Sequence, residues 1–223
     1  MWRKRLVEAY LTIFTNSLLV WSRAYQLFRT TFYNLIMPYV PSSKGELRQS
    51  KQSRDAFAYQ QRSPLYIVLD DLKSAYNVGS IFRLADALLV SKIYLCGRTI
   101  VPPHYKIKTT SRGTERWVPW EHRESTVETV QDLKKAGVYI LCAELCANSV
   151  DYKHITPAFP VCLVLGREYD GVAPEVLDAA DCIVSLPILG MTNSLNVATS
   201  ASVLLYELYH MINTHLSSTA QNK

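Results

Sequence analysis

Most of the short motifs that mark cofactor sites are missing from this sequence. Its five cysteines (Cys96, Cys142, Cys146, Cys162, Cys182) include no CxxC pair, and its five histidines (His104, His122, His154, His210, His215) show no HxxxH spacing, so no metal site is expected. Four of the cysteines lie in or beside apolar runs, where a thiol behaves as a small hydrophobe, and the odd number points to a reduced, cytoplasmic protein. No GxGxxG occurs, and GREYDG (166–171) has the spacing of a phosphate loop without the Lys-Ser/Thr that must follow it. Dinucleotide and ATP sites of the familiar kinds are thereby excluded. Long apolar runs are also missing. The uncharged stretch from Ala9 to Ser22 is interrupted by Thr12, Thr15, Asn16 and Ser17, and falls short of the roughly 20 apolar residues of a spanning helix. Arg23 stands where a signal cleavage site would need small residues.

What is present begins with charge. The 223 residues are 48% hydrophobic and 19% charged, enough for one globular domain with an appendage. The net charge of +5 is unevenly placed: residues 1–62 carry ten Lys/Arg against three Asp/Glu, and residues 63–223 carry fourteen against sixteen. A basic appendage on a near-neutral body fits a polyanionic partner, either nucleic acid or an anionic membrane surface. Within the appendage Leu6, Tyr10, Ile13, Leu18 and Trp21 approximate one helical face, and a second apolar-periodic piece runs from Tyr25 to Ile36 before Pro38 and Pro41. This predicts a helical N-terminal extension, with a polar linker over 41–55. An RNA-binding arm is preferred to a membrane role.

From Leu65 the pattern alternates. LYIVLD (65–70), KIYLCG (92–97), VYILCAE (138–144), VCLVLG (161–166) and CIVSLPI (182–188) have strand character. Helical spacing marks NVGSIFRLADALLV (77–90) with Asn77 as its cap, STVETVQDLKKAG (125–137) with Ser125 and Glu128 as a capping box, PEVLDAA (174–180), and a C-terminal helix from near Ser194. Residues 98–124 are expected as a long basic and aromatic loop. The alternation predicts an α/β domain over 63–216, a mostly parallel sheet with helices on both faces, and a disordered tail at 217–223. In such sheets ligands bind beyond the carboxyl ends of strands, which singles out the loops after residues 70, 97, 166 and 188.

Three clusters follow strands. In NVGSIFR (77–83), Gly79 lies one turn before Arg83, leaving room where the arginine points; the plainer reading pairs Arg83 with Asp86. In LVLGREYDG (163–171), Gly166 lets a ligand approach the strand end, while Glu168 either orients a substrate, holds Arg83 or is a solvated turn acid. In LPILGMTNSLNV (186–197), Pro187 and Gly190 break the strand, and backbone groups released from the ladder need partners such as an adenine ring. Ser194 and Asn196 stand at a helix start suited to an anion or ribose, or Asn193 or Ser194 is simply a cap.

Taken in order, these motifs resemble those of the SpoU/TrmH family (SPOUT superfamily) of RNA ribose 2′-O-methyltransferases: N-x-G-x-x-x-R at Asn77, Gly79 and Arg83; G-x-E-x-x-G at Gly166, Glu168 and Gly171; and LPI…G…SLNV at Leu186–Ile188, Gly190 and Ser194–Val197. The similarity covers about residues 64–212 and includes KTTSRGTERWVPW (108–120). Ala198 stands where the family commonly has serine, a small-for-small change. The resemblance implies a deep C-terminal trefoil knot around 161–200, an exception to the unknotted rule. It also implies a homodimer with its sites at the interface, and S-adenosyl-L-methionine as cofactor. It gives Leu165, Gly166, Leu186, Pro187, Ile188, Gly190, Ser194 and Leu195 to the cofactor. Arg83 would engage the target hydroxyl, with Asn77, Glu168, Ser194 and Asn196 shaping the catalytic pocket. Lys106, Lys108, Arg112 and Arg116, interleaved with Tyr105 and Trp117, suit RNA phosphates and stacked bases. Transfer RNA is favoured over ribosomal RNA as substrate. A non-catalytic RNA-binding protein of the same fold is the alternative.

Overall fold

A computed structural model describes residues 43–49, 51, 56–57 and 59–221, in two units, Met1–Arg54 and Asp55–Lys223. The helices expected over 6–36 lie outside the described residues. In the first unit the expected polar linker contains a short helix, α1 (Lys44–Gln49). Its start is a reciprocal cap: Glu46 N–H donates to Ser43 Oγ (3.2 Å) and Ser43 N–H donates to Glu46 Oε2 (2.6 Å).

In the second unit the apolar runs become strands and the amphipathic runs helices. They follow as β1 (Ser63–Asp70), α2 (Ala75–Ala87), β2 (Val90–Cys96), α3 (Tyr105–Ser111), a 3-10 turn (Thr114–Arg116), β3 (Trp120–Arg123), α4 (Thr126–Lys135), β4 (Tyr139–Ala143), β5 (Val150–Asp151), β6 (Val161–Leu165), α5 (Pro174–Asp178), β7 (Cys182–Ser185) and α6 (Val197–Gln221). The strands form one sheet in the order β3-β2-β1-β6-β4-β7-β5, and every pairing is parallel.

Alternation along each strand divides the core. Leu65, Ile67 and Leu69 face a layer holding Ile81 and Phe82 of α2 with Leu205 and Leu208 of α6. Val68, Cys96, Cys142 and Cys162 face the other way, toward Val130 of α4 and Val176 of α5. Helices thus cover both faces, as a doubly buried parallel sheet requires. Burial pushes the Cys96 thiol up to about 11 and the Cys142 thiol up to about 12, so both act as apolar filler. Buried Asp70 ties the end of β1 to this second layer, accepting from Thr126 Oγ1 (2.6 Å) and from Ala173 N–H (3.1 Å).

Two expectations are corrected. The stretch 98–124 is not a loop: it folds into α3, the 3-10 turn and the edge strand β3. Ile107 and Val118, both buried in the core, anchor it, apolar positions too widely spaced to show as periodicity. Helix α6 begins at Val197 rather than near Ser194, and it runs on to Gln221 through a stretch with no proline or glycine to stop it.

Candidate active site

Strand β6 lies between β1 and β4, where the order of strands turns back on itself, and the carboxyl ends of β4, β6 and β7 surround a cavity of about 320 Å³. That volume falls within the range of about 300–1,000 Å³ seen for small-molecule sites. Its walls include Glu144 and Leu145 after β4, Leu165 to Glu168 after β6, Leu186 and Ile188 after β7, and Asn193 to Val197 leading into α6. Of the residues expected around a cofactor, Leu165, Gly166, Leu186, Ile188, Ser194 and Leu195 line it; Pro187 and Gly190 do not. Among the described residues, the backbone N–H groups from Ile188 to Leu195 find no hydrogen-bond acceptor in the protein. The segment also holds Leu189 and Met191 almost wholly in solvent.

One residue from each motif joins a single line of hydrogen bonds. Asn77 Nδ2 donates to Glu168 Oε1 (3.0 Å), and Asn77 Oδ1 accepts from Asn196 Nδ2 (3.1 Å). Asn196 Oδ1 accepts in turn from Ala198 N–H (2.9 Å) and Thr199 N–H (3.3 Å), so Asn196 is the cap of α6 and not Asn193 or Ser194. Glu168 also accepts from the N–H groups of Lys73 (3.2 Å) and Ser74 (3.0 Å). Burial raises the Glu168 carboxyl, but hydrogen bonds from its own backbone, Asn77, Lys73 and Ser74 outweigh this and hold it below the ordinary glutamate range. It is therefore a carboxylate at neutral pH, and neither a grip on Arg83 nor an idle turn acid.

Helix α2 is capped by Ser74, whose side chain accepts from Asn77 N–H, which frees the Asn77 amide to bridge the other two motifs. Gly79 serves packing: a Cβ there would collide with Thr110 Oγ1 and lie 2.5 Å from the Ile107 carbonyl, so only glycine lets α3 lie this close. Gly166 likewise admits the chain's own backbone, because a Cβ would meet Gly171 and Val172. Both glycines permit close approach as expected, but of protein rather than ligand.

Arg83 is exposed, and it does not line the cavity. Six residues beyond Asn77, it stands about 9 Å further along the helix axis. Asp86 accepts instead from Trp117 Nε1 (2.6 Å), which turns that indole inward. Lys106, Lys108, Arg112 and Arg116 lie on or beside α3, with Lys108, Arg112 and Arg116 exposed. Arg112 caps α3 in the left-handed conformation, and the Arg116 guanidinium donates through Nε to the Gly113 carbonyl (3.3 Å).

Sequence reasoning overlooked the end of β4. Glu144 accepts from Leu145 N–H (2.9 Å) and from Val172 N–H (2.9 Å), joining β4 to the loop after β6. Its only signal was an acid closing an apolar strand run. Arg167 was passed over too: its guanidinium reaches toward Asp71 (4.0 Å) and Asp170 (3.7 Å). Among the described residues no helix is long and apolar enough to cross a membrane, and no group of three or more His, Cys, Asp or Glu is placed to hold a metal.

Residues 64–206 match the family described as the SpoU rRNA Methylase family. The chain is 31% identical over 151 residues to the tRNA (guanosine(18)-2'-O)-methyltransferase of Escherichia coli strain K12, a match spanning 66% of this chain and 64% of that one. Among solved structures it is similar to the TrmH/SpoU tRNA modifying enzyme of Aquifex aeolicus, with 27% identity and a TM-score of 0.65 over 71% of this chain and 80% of that one. It is also similar to the AdoMet-bound rRNA methyltransferase from Sinorhizobium meliloti, with 30% identity and a TM-score of 0.62 over 70% and 58%.

Proposed function

The chain belongs to the SpoU rRNA Methylase family, and from that premise we propose that it methylates a ribose 2′-hydroxyl in RNA, with S-adenosyl-L-methionine as donor. The observation that carries the reading is the Glu168–Asn77–Asn196 line, which binds all three motifs at the rim of a cavity of cofactor size. The fit to the cofactor rests on this chain's own groups. Unpaired N–H groups between Ile188 and Leu195 can meet the acceptors of an adenine and a ribose. The carboxylates of Glu144 and Glu168 outnumber the one cation on the wall, Arg167, whose guanidinium faces Asp71 and Asp170, which gives the cavity the sign a sulfonium needs. The relative from Sinorhizobium meliloti is described as AdoMet-bound.

When bound, S-adenosyl-L-methionine supplies a methyl group on a sulfonium, reactive enough that alignment is most of the remaining task. Leu165, Gly166, Leu186, Ile188, Ser194 and Leu195, which line the cavity, would hold it through backbone groups. Glu168 and Asn196, each tied to Asn77, keep the loops after β6 and β7 in register with the start of α2. The Arg83 guanidinium offers N–H donors and no acceptor, so its part is to donate rather than to take the hydroxyl proton. It binds the phosphate beside the target and polarises the hydroxyl, whose proton leaves to that phosphate or to water.

Because Arg83 stands outside the cavity of its own chain, this role requires a second copy, and we place it in a homodimer. The exposed Val203, Tyr206 and Tyr209 of α6, together with Leu189 and Met191, supply an apolar surface for it. The ends of β6 and β7 and the start of α6 belong to the segment around 161–200 that we take to be threaded as a trefoil knot. Transfer RNA is the favoured substrate, in line with the Escherichia coli relative. The five free thiols suit a reducing cytoplasm.

The test is purified protein with tritiated S-adenosyl-L-methionine and separate tRNA and rRNA pools from cells lacking the gene, followed by nuclease mapping of the label. Label in a 2′-O-methyl nucleotide of the tRNA pool is the expected result. Cofactor binding without label in either pool would overturn the catalytic reading.

A further inference from the structure

The segment after β2 places two tyrosine rings and a lysine together on the surface. Tyr105 is 70% exposed and Tyr76, next to Asn77 on α2, is 49% exposed. The Lys106 ammonium lies 5.5 Å from the centroid of Tyr76 and 5.7 Å from that of Tyr105, a cation shared by two rings. His104 stacks against Tyr105 at 5.2 Å and 21°, which steadies that ring. Tyr76, Ser80 and Arg83 fall at i, i+4 and i+7, so they form one stripe running along α2, exposed at Tyr76 and Arg83 and half-buried at Ser80.

Exposed aromatic rings in a basic setting are the elements of single-strand nucleic-acid recognition: each base has a π-face, and the phosphates need cations. Trp117 is less available for stacking, being partly buried against the core with the Arg116 guanidinium 5.9 Å from the centroid of its ring. We propose that an unpaired nucleobase of the RNA inserts between Tyr76 and Tyr105, displacing the Lys106 ammonium from the rings onto the adjoining phosphate. The base stacked there neighbours the target nucleotide that Arg83 engages, since Tyr76 and Arg83 share one helical stripe. Lys108 and Arg116 continue the positive track past Tyr105, where both border a groove of about 490 Å³ walled by Pro102, Pro103 and Trp120. Glu115 in that groove is engaged by the Ser111 hydroxyl. The proposal rests on the RNA-modifying reading above but makes a separate claim: the platform selects unpaired RNA before any methyl is transferred.

The experiment uses the full chain and a 12-nucleotide single-stranded RNA carrying a central 2-aminopurine, whose fluorescence falls on stacking. Wild type should quench it, and Tyr105→Leu and Tyr76→Leu should each weaken binding about 5- to 150-fold, the range for loss of one base–aromatic stack. Tyr105→Phe should keep both binding and quenching, which a merely basic surface would not predict to differ from Tyr105→Leu. Equal binding by Tyr105→Leu and wild type, or no quenching by wild type, overturns the platform. Methylation of cellular RNA measured alongside separates the two claims. Activity that is untouched by Tyr105→Leu sinks the platform alone, and quenching without methyl transfer sinks the catalytic reading alone.

Discussion

Replacing Asn77 with aspartate keeps the shape of the side chain and reverses one interaction. The Asn77 Nδ2 that donates to Glu168 Oε1 at 3.0 Å becomes a carboxylate oxygen facing a carboxylate, whereas the bond accepted from Asn196 Nδ2 at 3.1 Å can persist. Asn77 is only 9% exposed, so it cannot turn away into water. Two unit charges about 4 Å apart repel by about 1 kcal/mol in water and about 4 kcal/mol at an effective dielectric of about 20; exposed Glu168 belongs near the lower figure. The lost charge-assisted hydrogen bond adds about 1–2 kcal/mol after the same allowance for solvent. A total of about 2–3 kcal/mol should lower Tm by about 4–12 °C in a domain of this size.

The pH dependence separates this cause from general damage. In wild type the Glu168 carboxyl titrates below its ordinary range, so its contribution is present above the unfolded glutamate value and is lost as pH falls through the folded one. In Asn77→Asp the two carboxyls share a site, and one of them holds its proton to a higher pH than an isolated carboxyl would. The penalty is therefore full at pH 7.5 and shrinks as pH falls toward 5, while Asn77→Leu keeps a nearly constant deficit over that interval. Thermal unfolding of the three proteins at both pH values is the assay. An Asn77→Asp protein as stable as wild type at pH 7.5, or a deficit that does not shrink on acidification, would refute the reasoning.

Three further outcomes follow from the geometry. Gly79→Ala gains about 1 kcal/mol of helix propensity yet should be destabilised by about 1–3 kcal/mol net, because the methyl forces α3 off α2 at the Ile107 carbonyl; a denaturant midpoint at or above wild type would contradict it. Arg83→Lys should leave Tm within about 1 °C, since the residue is exposed, and should lower methyl transfer at least tenfold; near-full activity would remove any role specific to the guanidinium fork. Alkylation at pH 8 should label Cys146 and spare Cys96 and Cys142, whose thiols are buried and held near 11 and 12; rapid labelling of either in native protein, read by mass spectrometry, would show that the layer under α4 and α5 is open.

The strands and most helices were legible in the sequence because each carries its own local pattern. VCLVL and YILCA are continuous apolar runs of strand length, and Ser125 caps α4 by accepting from Glu128 N–H, as the box spacing requires. The identities of Asn77, Glu168 and Asn196 were legible too, through their motifs. Their roles were not. Asn77 looked like a cap because a polar residue before an apolar run usually is one, yet Ser74 does that work and the amide reaches residues 91 and 119 positions away. Such bonds leave no trace in local spacing. The same holds for α3, fastened by one buried isoleucine, and for Glu144, which acquires meaning only when the loop holding Val172 arrives beside β4. Composition and periodicity report what each segment does with its own neighbours. Which strand ends meet around a cavity, which glycine is crowded and which arginine stands apart from it were decided by the order β3-β2-β1-β6-β4-β7-β5 alone, because that order brings distant segments within hydrogen-bond reach.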